Sequence, residues 1–225
     1  MKKYIYLLIA LFGFASAVNA NGVNVGVSIL GGVFDADGTE KFSGAHVSGG
    51  SPGNVTKKTA TEGDEAETAF YIGSLFAEKE LNDNFAVGLD FVPMSMDSET
   101  TENVQKQMGS DKTNKVDVTF ENMITAYVML KADTGVYAKL GYIEVDVATK
   151  ETLGTGGAYP DTTLEGTVAG VGYNHYMDTG MFVRIEGNIM EFDDVSVKNT
   201  NDTNKSIEAS GIEGYGARIS IGKSF

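Results

Sequence analysis

The chain of 225 residues has no cysteine and no tryptophan, three prolines and two histidines. Without cysteine there can be no disulfide framework, no thiolate metal centre and no cysteine nucleophile. The histidines, His46 and His175, stand far apart with no ligand spacing around either, so neither marks a metal site. No Ser/His/Asp arrangement stands out, and no residue set suggests an enzyme or a cofactor. Basic residues are scarce, 17 against 31 acids, for a formal charge of −14. That balance argues against nucleic acid as a partner. After the first twenty residues no apolar run reaches 18, so no transmembrane helix is predicted.

The N-terminus is organised differently from the rest. Met1-Lys-Lys3 is basic, residues 4–14 are apolar, and small residues lead to Val18-Asn-Ala20. This pattern predicts a secretory signal peptide over 1–20, with Ala15-Ser-Ala17 as the competing cleavage site. The apolar run is too short for a span. Cleavage after Ala20 leaves about 205 residues, one large domain over 21–225, with a charge of about −16.

Within that domain the recurring signal is period-two alternation. At 22–34, Val23, Val25, Val27 and Ile29 share one phase. At 84–94, Phe85, Val87, Leu89 and Phe91 oppose Ala86, Gly88 and Asp90. At 115–130, an apolar phase from Val116 to Leu130 opposes Asp117, Thr119, Glu121, Thr125 and Tyr127. Strands are also predicted at 68–78, 136–148, 163–177, 181–195 and 213–225. The faces of 68–78 are ambiguous because both phases are apolar; Tyr71, Gly73 and Leu75 are assigned outward and Ser74 inward. At 136–148 the apolar phase switches at Ile143, through either a bulge or departure from the membrane.

Connections alternate strictly. Short turns fall near 79–83, 131–135 and 178–180. Long polar gaps fall at 35–67, 95–114, 149–162 and 196–210, and hold or border all three prolines. An all-β, eight-stranded antiparallel up-and-down transmembrane β-barrel requires this rhythm, with the long loops at one end and both termini at the other. The barrel would stand in the bacterial outer membrane as a multi-pass protein, with both termini periplasmic and lipid and lipopolysaccharide around it.

The non-apolar phase carries Asp90, Glu121, Lys139, Arg184, Glu186 and Arg218. An Arg or Lys facing lipid at mid-bilayer costs about 2–4 kcal/mol. These six are therefore expected inside, as a near-neutral salt-bridge network filling the lumen. Arg218 is expected to pair with Glu186 or Glu121. A catalytic or ion-conducting constellation is the alternative use of the same residues. Phosphate binding is not: Ala217-Arg-Ile-Ser-Ile-Gly-Lys-Ser224 fits a relaxed phosphate loop, but no helix can follow it. Gly154-Thr-Gly-Gly157 and Glu62-Gly-Asp-Glu65 read as solvated loop.

Gly170-Val-Gly-Tyr173, a short turn, Val183-Arg-Ile-Glu186 and Glu191-Phe-Asp-Asp194 resemble the penultimate hairpin of small OmpA/OmpX-like, opacity-type outer-membrane barrels. The resemblance implies that Arg184 and Glu186 face the interior. It also implies that the terminal Phe225 is a signal for the barrel-assembly machinery, with Lys223 as a departure where the family usually has an apolar residue. The implied function is structural or surface-interactive: membrane integrity, adhesion or receptor use, through loops with an unidentified extracellular partner. The alternatives are a narrow porin-like channel and a soluble lipocalin-like barrel.

Overall fold

The computed structural model describes residues 22–42, 55–60, 68–98, 100–107 and 110–225. The expected signal peptide, His46 and the 62–65 acidic run lie outside the described residues. The strands are β1 (Val23–Phe42), β2 (Val55–Ala60), β3 (Thr68–Glu80), β4 (Phe85–Val92), β5 (Met96–Asp97) and β6 (Thr101–Gln107). They continue with β7 (Ser110–Lys131), β8 (Val136–Leu153), β9 (Thr162–Tyr176), β10 (Met181–Phe192), β11 (Val195–Lys198) and β12 (Lys205–Ser224).

Eight of these close a ring in which every neighbour is antiparallel: β1–β3–β4–β7–β8–β9–β10–β12 and back to β1. The seam runs from Asn24↔Ser224 to Phe42↔Lys205, with one register shift near Asp35. At its lower end Phe225 N–H donates to Val23 O (2.9 Å), and Gly22 N–H donates to Phe225 O (2.8 Å). The barrel therefore has no free edge there, where an unpaired strand would invite association. Gly135 and Gly180 close two of the short turns at positive φ, which a residue without Cβ adopts without strain.

The strands run well past their predicted ends. β1 continues to Phe42, β8 to Leu153, and β7 and β12 start at Ser110 and Lys205. Much of what reads as polar gap is hairpin. A ladder standing in water needs no apolar outer face, so the alternation that marks the wall fades while the hydrogen bonding continues.

The ring has two storeys of opposite construction. Near the termini and short turns, the outer face is apolar: Val27, Ile29, Leu140, Val171, Ile185, Ile219 and Ile221 are all at least half exposed. The inner face there is polar. Farther up the inside becomes apolar, with Phe70, Val145, Val147, Leu164, Val168, Met190, Phe192 and Ile212 buried together. The outside turns acidic: Asp35, Glu144, Glu165, Glu191 and Glu213 are exposed. Exposed tyrosines, Tyr71, Tyr142 and Tyr215, mark the boundary. Between Tyr215 and Phe225, β12 spans about the 9–11 tilted residues that cross a bilayer core.

This inversion explains β8. The register between β8 and β9 is unbroken, and Tyr137, Lys139, Ile143, Val145 and Val147 all point inward. No bulge moves the side chains; the environment on both faces changes instead. The bulge lies in β7, between Glu121 and Ile124, where Asn122 takes φ 53°. Below it Ile124, Ala126, Val128 and Leu130 face out. Above it Val118 and Phe120 pack into the upper core. The single expected apolar phase of this strand is thus two opposite faces, and Glu121 is exposed on the outside.

Candidate functional site: the ionic lumen

Six ionised side chains meet inside the lower storey: Glu78, Asp90 and Glu186 against Lys139, Arg184 and Arg218, all buried. Each sits on an inward position of a wall strand, so the regular alternation of β3, β4, β8, β10 and β12 aims them at one axis. Arg184 holds Glu78 through two parallel contacts, Nη1–Oε1 at 2.6 Å and Nη2–Oε2 at 2.9 Å. The planar guanidinium is suited to this bidentate geometry. Its Nε donates to Asn174 Oδ1 at 2.6 Å. Glu78 also accepts from Tyr127 Oη (2.8 Å) and Asn24 Nδ2 (3.2 Å). The Arg184 guanidinium lies over Phe76, Tyr137 and Phe182, 5.2–5.3 Å from the ring centres, which adds cation–π attraction.

A second pair joins Lys139 to Glu186, which also accepts from Tyr137 Oη at 2.7 Å. A third joins Arg218 to Asp90. Ser74 donates to the same Asp90 oxygen at 2.9 Å, and Ser28 and Ser74 share a hydrogen at 2.6 Å. Arg218 Nε lies 3.8 Å from Glu186, linking the second and third pairs. Three acids and three bases leave the cluster formally neutral, as the cost of burying charge demands.

Asp90, Lys139, Arg184, Glu186 and Arg218 occupy the inward positions expected of them. Glu121 does not: the Asn122 bulge turns it outward, and Glu78 is the third acid. Arg218 binds Asp90 more closely than Glu186. Glu78 was legible in principle. Ser74 is inward, and 76 and 78 share its phase, but Glu78-Lys-Glu80 looks like the start of a polar turn.

Apolar side chains flank the cluster, and toward the lower rim its polar contacts continue: Asn24 also donates to Glu80 at 3.2 Å, and Glu80 pairs with Lys131 at 2.7 Å. Beside it Phe76, Ala86, Met129 and Phe182 are buried, and Phe182 lies 6.1 Å from Phe76 and 5.4 Å from Tyr176. A Cβ at inward Gly222 would meet the Phe182 ring at 2.4 Å, so glycine is what lets this ring lie across the lumen. Above it stands the upper core, where Phe34 packs edge-on against Phe120 and Phe192 at 5.8 and 6.0 Å.

Other sequence candidates fall elsewhere. Phe225 is 57% exposed at the rim, and Lys223 Nζ lies 5.2 Å from its ring centre. This contact gives the outward Lys223 a place. The relaxed phosphate-loop segment is the closing strand β12. His175 is exposed, and no group of three or more His, Asp or Glu among the described residues could hold a metal. At the top, Tyr159 donates to Glu40 at 2.7 Å and Lys205 to Thr155 at 2.7 Å. Burial and the Glu40 contact raise the Tyr159 phenol. Burial lowers the Lys205 ammonium against the pull of Glu40 and Asp202. On the outer face Asp97 accepts from Thr119 (2.5 Å) and Lys150 (3.0 Å). These bonds, Thr119 first, lower its carboxyl.

No protein-family model matches the chain, and no curated protein matches it. Among solved structures it is similar to the outer membrane protein OprG from Pseudomonas aeruginosa: 12% identity over 89% of this chain and 96% of that one, TM-score 0.44. It is similar to the outer membrane protease OmpT from Escherichia coli: 12% identity over 92% and 98%, TM-score 0.42. It is also similar to Ail, the attachment invasion locus protein of Yersinia pestis: 11% identity over 88% and 99%, TM-score 0.37. These neighbours are small outer-membrane β-barrels of differing roles, and the likeness is one of barrel architecture alone.

Proposed function

We propose that this chain is a non-catalytic barrel of the bacterial outer membrane with a structural or surface-interaction role. In this role the wall stands in lipid and the long hairpins project outward to meet an extracellular partner. Both termini lie on the periplasmic side, and Phe225 marks the chain for the assembly machinery. One observation carries the proposal. An apolar outer belt surrounds a buried, formally neutral ionic interior that is packed with aromatic rings and bounded above by an apolar core. Such a wall suits a lipid surround, because charged residues on it would be costly at mid-bilayer. Such an interior suits a plug better than a pore, because a small barrel whose lumen is filled by side chains leaves no aqueous path.

Two measurements test this. Purified protein in planar bilayers should show no steady single-channel steps. Steps that disappear on neutralising Arg184 and Glu186 would establish the channel alternative instead. Membranes washed with salt and alkali should retain the protein until detergent is added; release without detergent would establish a soluble barrel.

A further inference from the structure

We propose that the mouth of the barrel is a site of covalent self-modification: an isopeptide cross-link between the Lys205 amine and the Asn114 carboxamide, with Glu40 carrying the proton. Such a link needs an amine, a carboxamide and a proton carrier gathered away from water. The upper end of the ring brings together one of each. Asn114 on β7 is 1% exposed and Lys205 on β12 is 3% exposed. Glu40 on β1 is half-buried beside them. A lysine is seldom buried to this degree. β7 and β12 stand on opposite sides of the eight-strand ring, so the two side chains approach each other across its width.

Thr155 holds amine and carboxamide together. Lys205 Nζ donates to Thr155 Oγ1 at 2.7 Å. The same Oγ1 lies 3.1 Å from Asn114 Nδ2 and 3.2 Å from Asn114 Oδ1. One hydroxyl therefore stands between the nucleophile and the carboxamide, and a change of Thr155 rotamer clears it. The Thr155 backbone N–H donates to Asn114 Oδ1 at 3.2 Å. Gly154 N–H, bonded to Thr113 O at 3.0 Å, fixes that backbone. The Thr155 N–H is thus a set donor for the charge that grows on Oδ1 when the carbonyl is attacked. On the other side Asn114 Nδ2 donates to Glu40 Oε1 at 3.4 Å, and the buried Tyr159 phenol donates to the same oxygen at 2.7 Å. Burial favours the neutral amine of Lys205, which is its nucleophilic form.

The atoms balance without a co-reactant. Nζ bonds to Asn114 Cγ, and Glu40 takes the proton that Nζ sheds. The Cγ–Nδ2 bond then breaks, Glu40 returns the proton to Nδ2, and ammonia leaves. The product ties β7 to β12 over the mouth, a covalent brace in a chain without cysteine. It forms equally well whether or not the barrel stands in a membrane.

The test is peptide mapping by mass spectrometry of the folded full barrel purified from cells. Trypsin should fail to cut after Lys205 and should release a branched peptide joining 113–115 to 199–218. Its mass should be that of the two pieces less one ammonia. Separate 113–115 peptide with an intact Asn114, and normal cutting after Lys205, would overturn the proposal. The same chain recovered from inclusion bodies in urea should carry its full mass and lose ammonia only on refolding. Loss in the unfolded chain would overturn the proposal too, because it would need no mouth. Lys205→Arg and Asn114→Ala should each abolish the loss; ammonia still lost from either would place the reaction elsewhere. Glu40→Gln keeps the side-chain shape but cannot carry the proton, and should slow the loss on refolding by roughly a hundredfold or more. An unchanged rate in that variant would overturn the part given to Glu40. The mapping of the unaltered chain decides the cross-link whether or not any variant folds.

Discussion

The lower and upper storeys share one set of strands, yet each is the other turned inside out. Below, β12 shows Ile219 and Ile221 outward and Arg218 and Ser220 inward. Above, it shows Glu213 outward and Ile212 inward. The strand does not rotate; the solvent outside it changes. In the lower storey stability rests on electrostatic pairing across the lumen. Glu78 and Asp90 from the β3–β4 hairpin reach Arg184 and Arg218, 106 and 128 residues later. In the upper storey it rests on apolar packing, as in a water-soluble barrel. The hairpin acids and the later bases can meet only when the ring has closed, so these pairs favour the closed eight-strand arrangement over an open sheet.

The contrast can be broken most severely by charge. Arg184→Leu leaves Glu78 buried without its partner and should lower stability by about 3–5 kcal/mol. Denaturant unfolding in micelles checks this. The double change Glu78→Met/Arg184→Leu should recover most of the loss, because replacing a buried pair by apolar groups is often neutral. A double variant no better than the single one would mean that the pair does more than neutralise itself. In the upper storey volume should matter instead. Leu164→Ala, in the apolar core, should cost about 2–5 kcal/mol by leaving a cavity. The outer wall supplies a finer comparison. Ile219→Lys, at mid-belt, should cost about 2–4 kcal/mol for folding into bilayers. Thr163→Lys, above the belt and exposed, should stay within about 0.5 kcal/mol. Equal costs at the two positions would remove the boundary between the storeys.

The smallest effect is one of pH. The Asp97 carboxyl is lowered by its bonds to Thr119 and Lys150, so the ionised form favours the folded strap of β5 on β7. That contribution is full above the ordinary Asp value of about 3.9 and fades as pH falls through the lowered folded value. The protection of the Asp97 and Ser98 amides, taken relative to the intrinsic exchange rate at each pH, should fall on acidification below about pH 4, and Asp97→Asn should flatten the response.

Much of this was open to inspection in the chain itself. Turns and gaps in strict alternation gave the strand number and the shared end of the termini, and the non-apolar phase held five of the six lumen charges. Glu121 went astray because parity counting assumes an unbroken ladder. One Asn at positive φ, a residue that tolerates that region better than most, reversed every side chain before it. Glu78 escaped because, although it shares the phase of the inward Ser74, it borders the polar 79–83 turn and looks like part of it. The upper core was invisible for a related reason. Val145 and Leu164 look like wall residues when alternation is read from one strand at a time.

The sequence alone determined the period-two pattern, the strand count and the near-neutral set of charges. These follow from local chemistry, since a strand places alternate side chains on opposite faces wherever it lies. Only the tertiary structure decided which face was inside at each height, which acid met which base, and where the β3–β4 pairing ends, at Leu75 and Phe91. Those depend on register, and register is settled by the closure of the whole ring, where one inserted residue on one strand redirects all the side chains beyond it.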